Sequence, residues 1–128
     1  MRMWGIFLTR ELVTGDDKLD ISVDHGDELA LVRLHGRIGL DSSPLLRERL
    51  LAILQGQPPK TITVDLAEVS FIDAAGIATL LEALKIARSR QATLCLKGLH
   101  GRMVRLFEVT GLQAVFATGC KGASPELR

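Results

Sequence analysis

The chain has 128 residues, a length that favours one domain and leaves little room for a second. Apolar residues make up 47% of it and charged residues 24%, which supplies a core and excludes wholesale disorder. Sixteen Lys and Arg stand against fifteen Asp and Glu, and a net charge of +1 gives no argument for counterion-driven attraction to nucleic acid or to an anionic membrane, so partner choice rests on local surfaces. Cys95 and Cys120 lie far apart with no second ligand pair nearby. Neither a disulfide framework nor a zinc finger is indicated, and the cytoplasm is the expected compartment. The apolar start at Trp4, Ile6, Phe7 and Leu8 is cut off by Arg10 and Glu11 before it reaches signal-peptide length. No later apolar run is long enough to span a bilayer.

Residues 1–18 have no clear period and end in the polar cluster Thr14-Gly15-Asp16-Asp17-Lys18, so they read as an extension before the domain proper. Leu19, Ile21 and Val23 alternate with polar neighbours, and after His25-Gly26-Asp27 strand character resumes over 28–34, which predicts an antiparallel hairpin. Ser43 before Pro44 announces a helix, with serine as N-cap and proline at the first helical position. Leu46, Leu50, Ile53 and Leu54 give that helix its apolar face, and Gly56 with Pro58-Pro59 stops it. Ile62, Val64 and Leu66 alternate with Thr61, Thr63 and Asp65 in a strand over 61–66. A second helix is expected over 74–90, from Ile77, Leu80, Leu81 and Leu84, then a short strand over 93–97. A third helix starts near 102, with Met103, Leu106 and Phe107 as its inner stripe, and closes at Thr110-Gly111. Leu112, Val115 and Phe116 then return to the core, and the tail over 118–128, with Gly119, Gly122, Ser124 and Pro125, has little to bury. The fold class is therefore α/β: one mixed, mostly parallel sheet faced by helices, with an antiparallel hairpin at its N-terminal side.

Enzyme signatures are missing: the chain carries no Walker loop, no dinucleotide fingerprint and no Gly-x-Ser-x-Gly elbow. His25, His35 and His100 are isolated, and Cys95 sits in an apolar strand with no evident base, where an inert buried thiol is the expectation. No catalytic residue, metal ligand or cofactor site is read. Lys85, Arg88, Arg90, Arg102 and Arg105 are taken as solvated helix cations, so no nucleic-acid partner is expected. The informative segment is Val69-Ser70-Phe71-Ile72-Asp73-Ala74-Ala75-Gly76-Ile77, between a strand and the second helix. Asp73 is placed to cap that helix, a contribution of about 1 kcal/mol, and Ala74, Ala75 and Gly76 leave its first turn nearly bare. Small residues there either admit a partner's backbone or, in the plainer reading, let the helix pack closely on the sheet.

At these residues the chain resembles the STAS domain, as found in bacterial anti-sigma factor antagonists. The resemblance spans residues 19–117 and rests on Leu31-Val32-Arg33-Leu34 with His35-Gly36, on Ile62-Thr63-Val64-Asp65-Leu66, on residues 69–76 and on residues 104–112; the Asp-Ala-Ala-Gly element is its most specific part. The family implies a non-catalytic module that docks on an anti-sigma factor, often a serine kinase, and so frees a sigma factor. In phospho-regulated members the residue after the motif aspartate is a serine or threonine that the kinase modifies; here it is Ala74, so no phosphoacceptor stands at the family position. A second departure is Gly39, where relatives commonly carry an aspartate. Asp73, Ala74, Ala75, Gly76, Thr79 and Glu82 are the residues expected to meet the partner, with Lys85 on the same helix face. Ser42, Ser43, Ser70 and Thr79 are the other hydroxyls weighed as acceptors, with capping or plain polar roles favoured. The alternative is an accessory subunit of a lipid-transporting ABC system that docks on its ATPase. Packing of the apolar N-terminus against another copy, as in a homodimer, stays open.

Overall fold

The protein is described by a computed structural model, which covers residues 7–13 and 18–117. The elements run β1 (Phe7–Val13), β2 (Leu19–His25), β3 (Leu29–Ile38), α1 (Ser43–Leu54), β4 (Thr61–Ile72), α2 (Ala74–Ser89), β5 (Thr93–Lys97), α3 (Arg102–Thr110) and α4 (Leu112–Ala117). The strands form one five-stranded sheet in the order β1-β2-β3-β4-β5. β1–β2 and β2–β3 pair antiparallel, while β3–β4 and β4–β5 pair parallel across the α1 and α2 crossovers.

Each strand contributes alternate residues to one buried face. Leu19, Ile21 and Val23, then Ala30, Val32 and Leu34, Ile62, Val64 and Leu66, and Leu94 and Leu96 all lie in the core. Leu46, Leu50 and Leu54 of α1 and Leu80, Ala83, Leu84 and Ala87 of α2 cover that face, as their helical spacing requires. Phe107 of α3 and Phe116 of α4 complete it, with ring centroids 6.0 Å apart and tilted by 51°. The opposite face carries Asp20, Ser22, Arg33, His35, Thr63 and Asp65, half-buried or exposed.

The mixed α/β sheet and its helices are as the sequence pattern predicts, with five differences. The extension expected over 1–18 is in part sheet, because β1 lies along β2 with Phe7 opposite His25 and Val13 opposite Leu19. With β1 added, the pairings divide evenly rather than mostly parallel. Second, the strand expected over 61–66 runs on to Ile72. Register shifts between Arg33 and His35 and between Gly36 and Arg37 show that β4 takes an extra residue at two points. Those bulges break the period-two alternation, so Val69 and Ile72 are buried three residues apart and the strand signal vanishes from the sequence. Third, Ser42 rather than Ser43 precedes α1, and its side chain caps no helix amide. Its hydroxyl accepts from the Gly39 amide at 3.0 Å and donates to the Arg37 carbonyl at 2.9 Å, holding the turn after β3 instead. Pro44 still fills an early helical position where no amide donor is lost. Fourth, Leu112–Ala117 forms a short helix of its own after Gly111. Val115 is partly exposed there while Phe116 is buried.

Fifth, Cys95 is buried as expected but is disulfide-bonded, not an inert thiol. Cysteine usage therefore gives no support to a reducing compartment. Trp4, Ile6, the turn over 14–17, Cys120 and the tail over 118–128 lie outside the described residues.

Two glycines set how closely this frame packs. Gly36 has φ +121°, and a Cβ on it would strike the Lys18 carbonyl oxygen, so only glycine suits this point of β3 beside the entry to β2. Gly76, in the first turn of α2, would place a Cβ 2.7 Å from Ile38 Cγ2, 2.7 Å from Ile72 Cγ1 and 3.1 Å from the Ile38 carbonyl oxygen. The Gly76→Ala variant should therefore lose about 1–2 kcal/mol in urea unfolding, since overpacking outweighs the gain in helix propensity. Unchanged stability would mean that α2 can lift off the sheet at no cost.

Candidate functional site

The end of β4 and the start of α2 are built around Asp73. Its backbone is extended, with φ −113° and ψ −171°, and Oδ1 accepts from the amides of Ala75 at 2.9 Å and Gly76 at 3.1 Å. These two bonds satisfy donors that a helix start leaves unpaired, and the carboxylate also meets the positive end of the helix dipole. The Asp73 amide donates to the Ile38 carbonyl at 3.1 Å, which ties the cap to the end of β3. The expected cap is in place.

Seated this way, the first turn of α2 divides sharply. Ala74 is exposed at the helix tip, Ala75 is half-buried, and Gly76 is buried against Ile38 and Ile72. Gly76 is thus a packing residue at the contact between helix and sheet. Thr79, expected at the partner surface, is 7% exposed, and its hydroxyl donates to the Ala75 carbonyl within the helix at 3.0 Å. Its position three residues after Gly76 carries it onto the side of α2 that packs inward.

Glu82 is half-buried, and both its oxygens are engaged by one guanidinium of α1. Arg47 Nε donates to Oε1 at 2.7 Å and Nη2 to Oε2 at 2.8 Å, a bidentate pair that bridges α1 and α2. The hydrogen bonds from Arg47 hold the Glu82 carboxyl below the ordinary carboxylate range. With a lowered folded-state value, the pair is fully formed at neutral pH and lost only as pH falls through that value. Glu82 is therefore occupied within the domain, while Lys85 is exposed on the next turn. The sequence pattern could not have shown this partner, because Arg47 is thirty-five residues away.

Three further features adjoin Ala74 that the motif alone does not reveal. The second bulge of β4 turns Phe71 outward, where the Arg37 guanidinium stacks 4.1 Å from its ring centroid. Leu106 of α3, read from its spacing as core, is only half-buried. Beside it runs an apolar groove of about 600 Å³ whose walls include Ala74, Ile77, Ala78 and Leu81 on one side and Leu106 and Leu112 on the other. Of the four other hydroxyls, Ser42, Ser43 and Thr79 are buried and Ser70 is exposed, with its Oγ 3.3 Å from the Gly36 carbonyl.

Comparison with known proteins bears on this arrangement. The family model described as "Mlab, STAS domain" matches residues 21–117. The chain belongs to the STAS domain family. An anti-sigma-B factor antagonist of Listeria monocytogenes is 38% identical over 80 residues, covering 62% of this chain and 69% of that one. The anti-sigma-B factor antagonist of Bacillus subtilis is 26% identical over 103 residues, covering 80% and 93%. Among solved structures, an anti-sigma factor antagonist from Mycobacterium paratuberculosis superposes with a TM-score of 0.65 at 22% identity, over 81% of this chain and 87% of that one. The Bacillus SpoIIAA protein in its phosphorylated form gives 0.59 at 18% identity, over 84% and 86%. These structural likenesses establish the STAS fold, and the sequence relatives place this domain among antagonist-like members.

The cap geometry yields a stability test separate from any partner. Asp73→Ala should cost about 1 kcal/mol in chemical unfolding, and Asp73→Asn, which keeps an acceptor oxygen, well under half of that. Equal losses for the two variants would show that charge, not the amide bonds, carries the effect.

Proposed function

We propose that this STAS domain is a non-catalytic docking module that binds an anti-sigma factor, often itself a serine kinase, through the surface around Ala74, and that no phosphate controls binding at that position. The observation that carries the reading is the exposed Ala74 methyl at the tip of α2, beside the Asp73 cap. A kinase needs an accessible hydroxyl, and this position has the access without the hydroxyl. In a phospho-regulated relative, a modified serine here would add about −1.5 to −2 charges to a surface that must be desolvated on docking. Alanine retains only the uncharged state, so control passes to expression, to the partner or to another residue. Antagonist relatives support this choice of partner, and a cytoplasmic location follows from it. Among the described residues, no helix is long and apolar enough to cross a membrane.

The refined docking surface is smaller than the motif implied. Asp73, Ala74 and Ala75 form its tip, while Gly76, Thr79 and Glu82 act from behind it by packing, intrahelical bonding and pairing with Arg47. Of the two partner classes the sequence leaves open, an anti-sigma factor is favoured over a transporter ATPase, since the curated relatives carry the antagonist description.

Binding to a purified anti-sigma kinase of the same genome tests the proposal by calorimetry. Ala74→Glu should weaken it at least about thirtyfold, roughly 2 kcal/mol, by placing an unpaired charge in the contact, with the melting temperature unchanged. With ATP present, the unaltered chain should take up no phosphate on residues 73–76, whereas Ala74→Ser should be modified. Undiminished binding by Ala74→Glu overturns the docking surface, and phosphate on the unaltered loop overturns its independence from the switch.

A further inference from the structure

From the distribution of charge around the groove beside Ala74, we infer that its occupant is an amphipathic helix of the partner whose apolar anchors are flanked by carboxylates. This rests on the docking reading above and names the chemistry of the same surface. The groove between α2 and α3 is apolar along its floor, where Ile77 and Leu81 face Leu106. At Leu106 it meets two further depressions, of about 530 Å³ towards Phe71 and about 690 Å³ towards Val109. Val109 is 72% exposed, an apolar side chain left in water at the outer lip.

The two depressions that adjoin the groove at Leu106 carry basic side chains and no carboxylate. His100 and Arg102 border the first of these depressions, and Arg102 and Arg105 border the second. Arg102 and Arg105 are exposed, and among the described residues neither makes a hydrogen bond or ion pair. Several other cations are engaged within the domain: Arg47 with Glu82, Lys60 with Glu28, Arg88 with the Val115 carbonyl and Arg90 with the Gly56 carbonyl. The carboxylate bordering the groove is Asp73, whose Oδ1 already accepts two helix amides. Glu108 of α3 is exposed but borders none of the three depressions.

The apolar floor and the two arginines beyond its Leu106 side together call for apolar anchors with carboxylates beside them. A trough between two helices accepts a row of side chains at i, i+3, i+4 and i+7 from a third helix. Its surface position, bordered by exposed Ala74, Ala78 and Val109, leaves one side of any occupant in water. A free aliphatic carboxylate would need most of its chain enclosed, so a helix with a polar outer face fits better. Complementary charge at such a rim acts mainly through association rate and choice of partner.

The experiment uses the full chain, labelled with nitrogen-15, and two synthetic helical peptides of equal length and identical leucine spacing. One carries glutamate at the remaining contact-flanking positions and the other lysine; sodium laurate is the third ligand. At low salt the glutamate peptide should shift the amides of Ile77, Leu81 and Leu106 and bind at least about tenfold more tightly than the lysine peptide. That preference should vanish or reverse in the Arg102→Glu, Arg105→Glu double variant, with its melting temperature retained. Equal binding of both peptides, shifts confined to other surfaces, binding of laurate alone or binding of nothing overturns the inference. If any of these occurs while Ala74→Glu still abolishes anti-sigma binding, the groove chemistry is refuted and the docking reading stands. If Ala74→Glu has no effect, the docking reading falls, whatever the peptides do.

Discussion

The contact between the first turn of α2 and the ends of β3 and β4 is the constraint on which the remaining features depend. Gly76 has no side chain, and the backbone of α2 therefore comes within van der Waals range of Ile38 and Ile72. The Asp73 amide binds the Ile38 carbonyl, and the Asp73 carboxylate turns back to cap the helix that begins one residue later. A strand, a cap and a helix start are locked at one point, and Ala74 is the next residue out. Its exposure is a by-product of the close approach, since a helix held farther from the sheet would have presented its first turn at another angle.

The bulges in β4 act on the same point from the other side. Each inserts one residue relative to β3, and together they increase twist at the strand's end and change which side chains face outward. Val69 and Ile72 stay in the core, while Ser70 and Phe71 face solvent. Phe71 would be an isolated apolar ring there, but Arg37 stacks over it and shields one face. The polar and apolar features around Ala74 therefore come from three elements, namely the irregular end of β4, the first turn of α2 and the outer side of α3.

Rigidity behind that surface is supplied by groups that a sequence motif would count as part of it. Thr79 spends its hydroxyl on its own helix, and Glu82 spends both oxygens on Arg47. An exposed ion pair of this kind adds little net stability because water and salt screen it. Its bidentate geometry nevertheless fixes α1 against α2, so the face that carries Ala74 has a defined back wall.

Local chemistry was legible in the sequence wherever a residue acts on its immediate neighbours. The Asp73 cap needs only amides two and three positions on, the apolar stripes of α1 and α2 repeat within a few residues, and the alternation of β2 and of β4 up to Leu66 is a property of each strand alone. The alanine that follows the capping aspartate is likewise read straight from the chain. Only the tertiary structure decided what depends on distant partners. β1 is a strand because β2 offers it an edge. β4 continues past its last alternating residue because β3 lies alongside it. Ser42 turns from the helix to the loop it can reach, Glu82 meets Arg47, and Cys95 is bonded rather than free. The groove at Ala74 exists because α3 returns to the side of α2. Periodicity records which face of an element is apolar, but pairing, bulges and the meeting of two helix faces are set by contacts across the sheet and between layers, for which no local pattern exists.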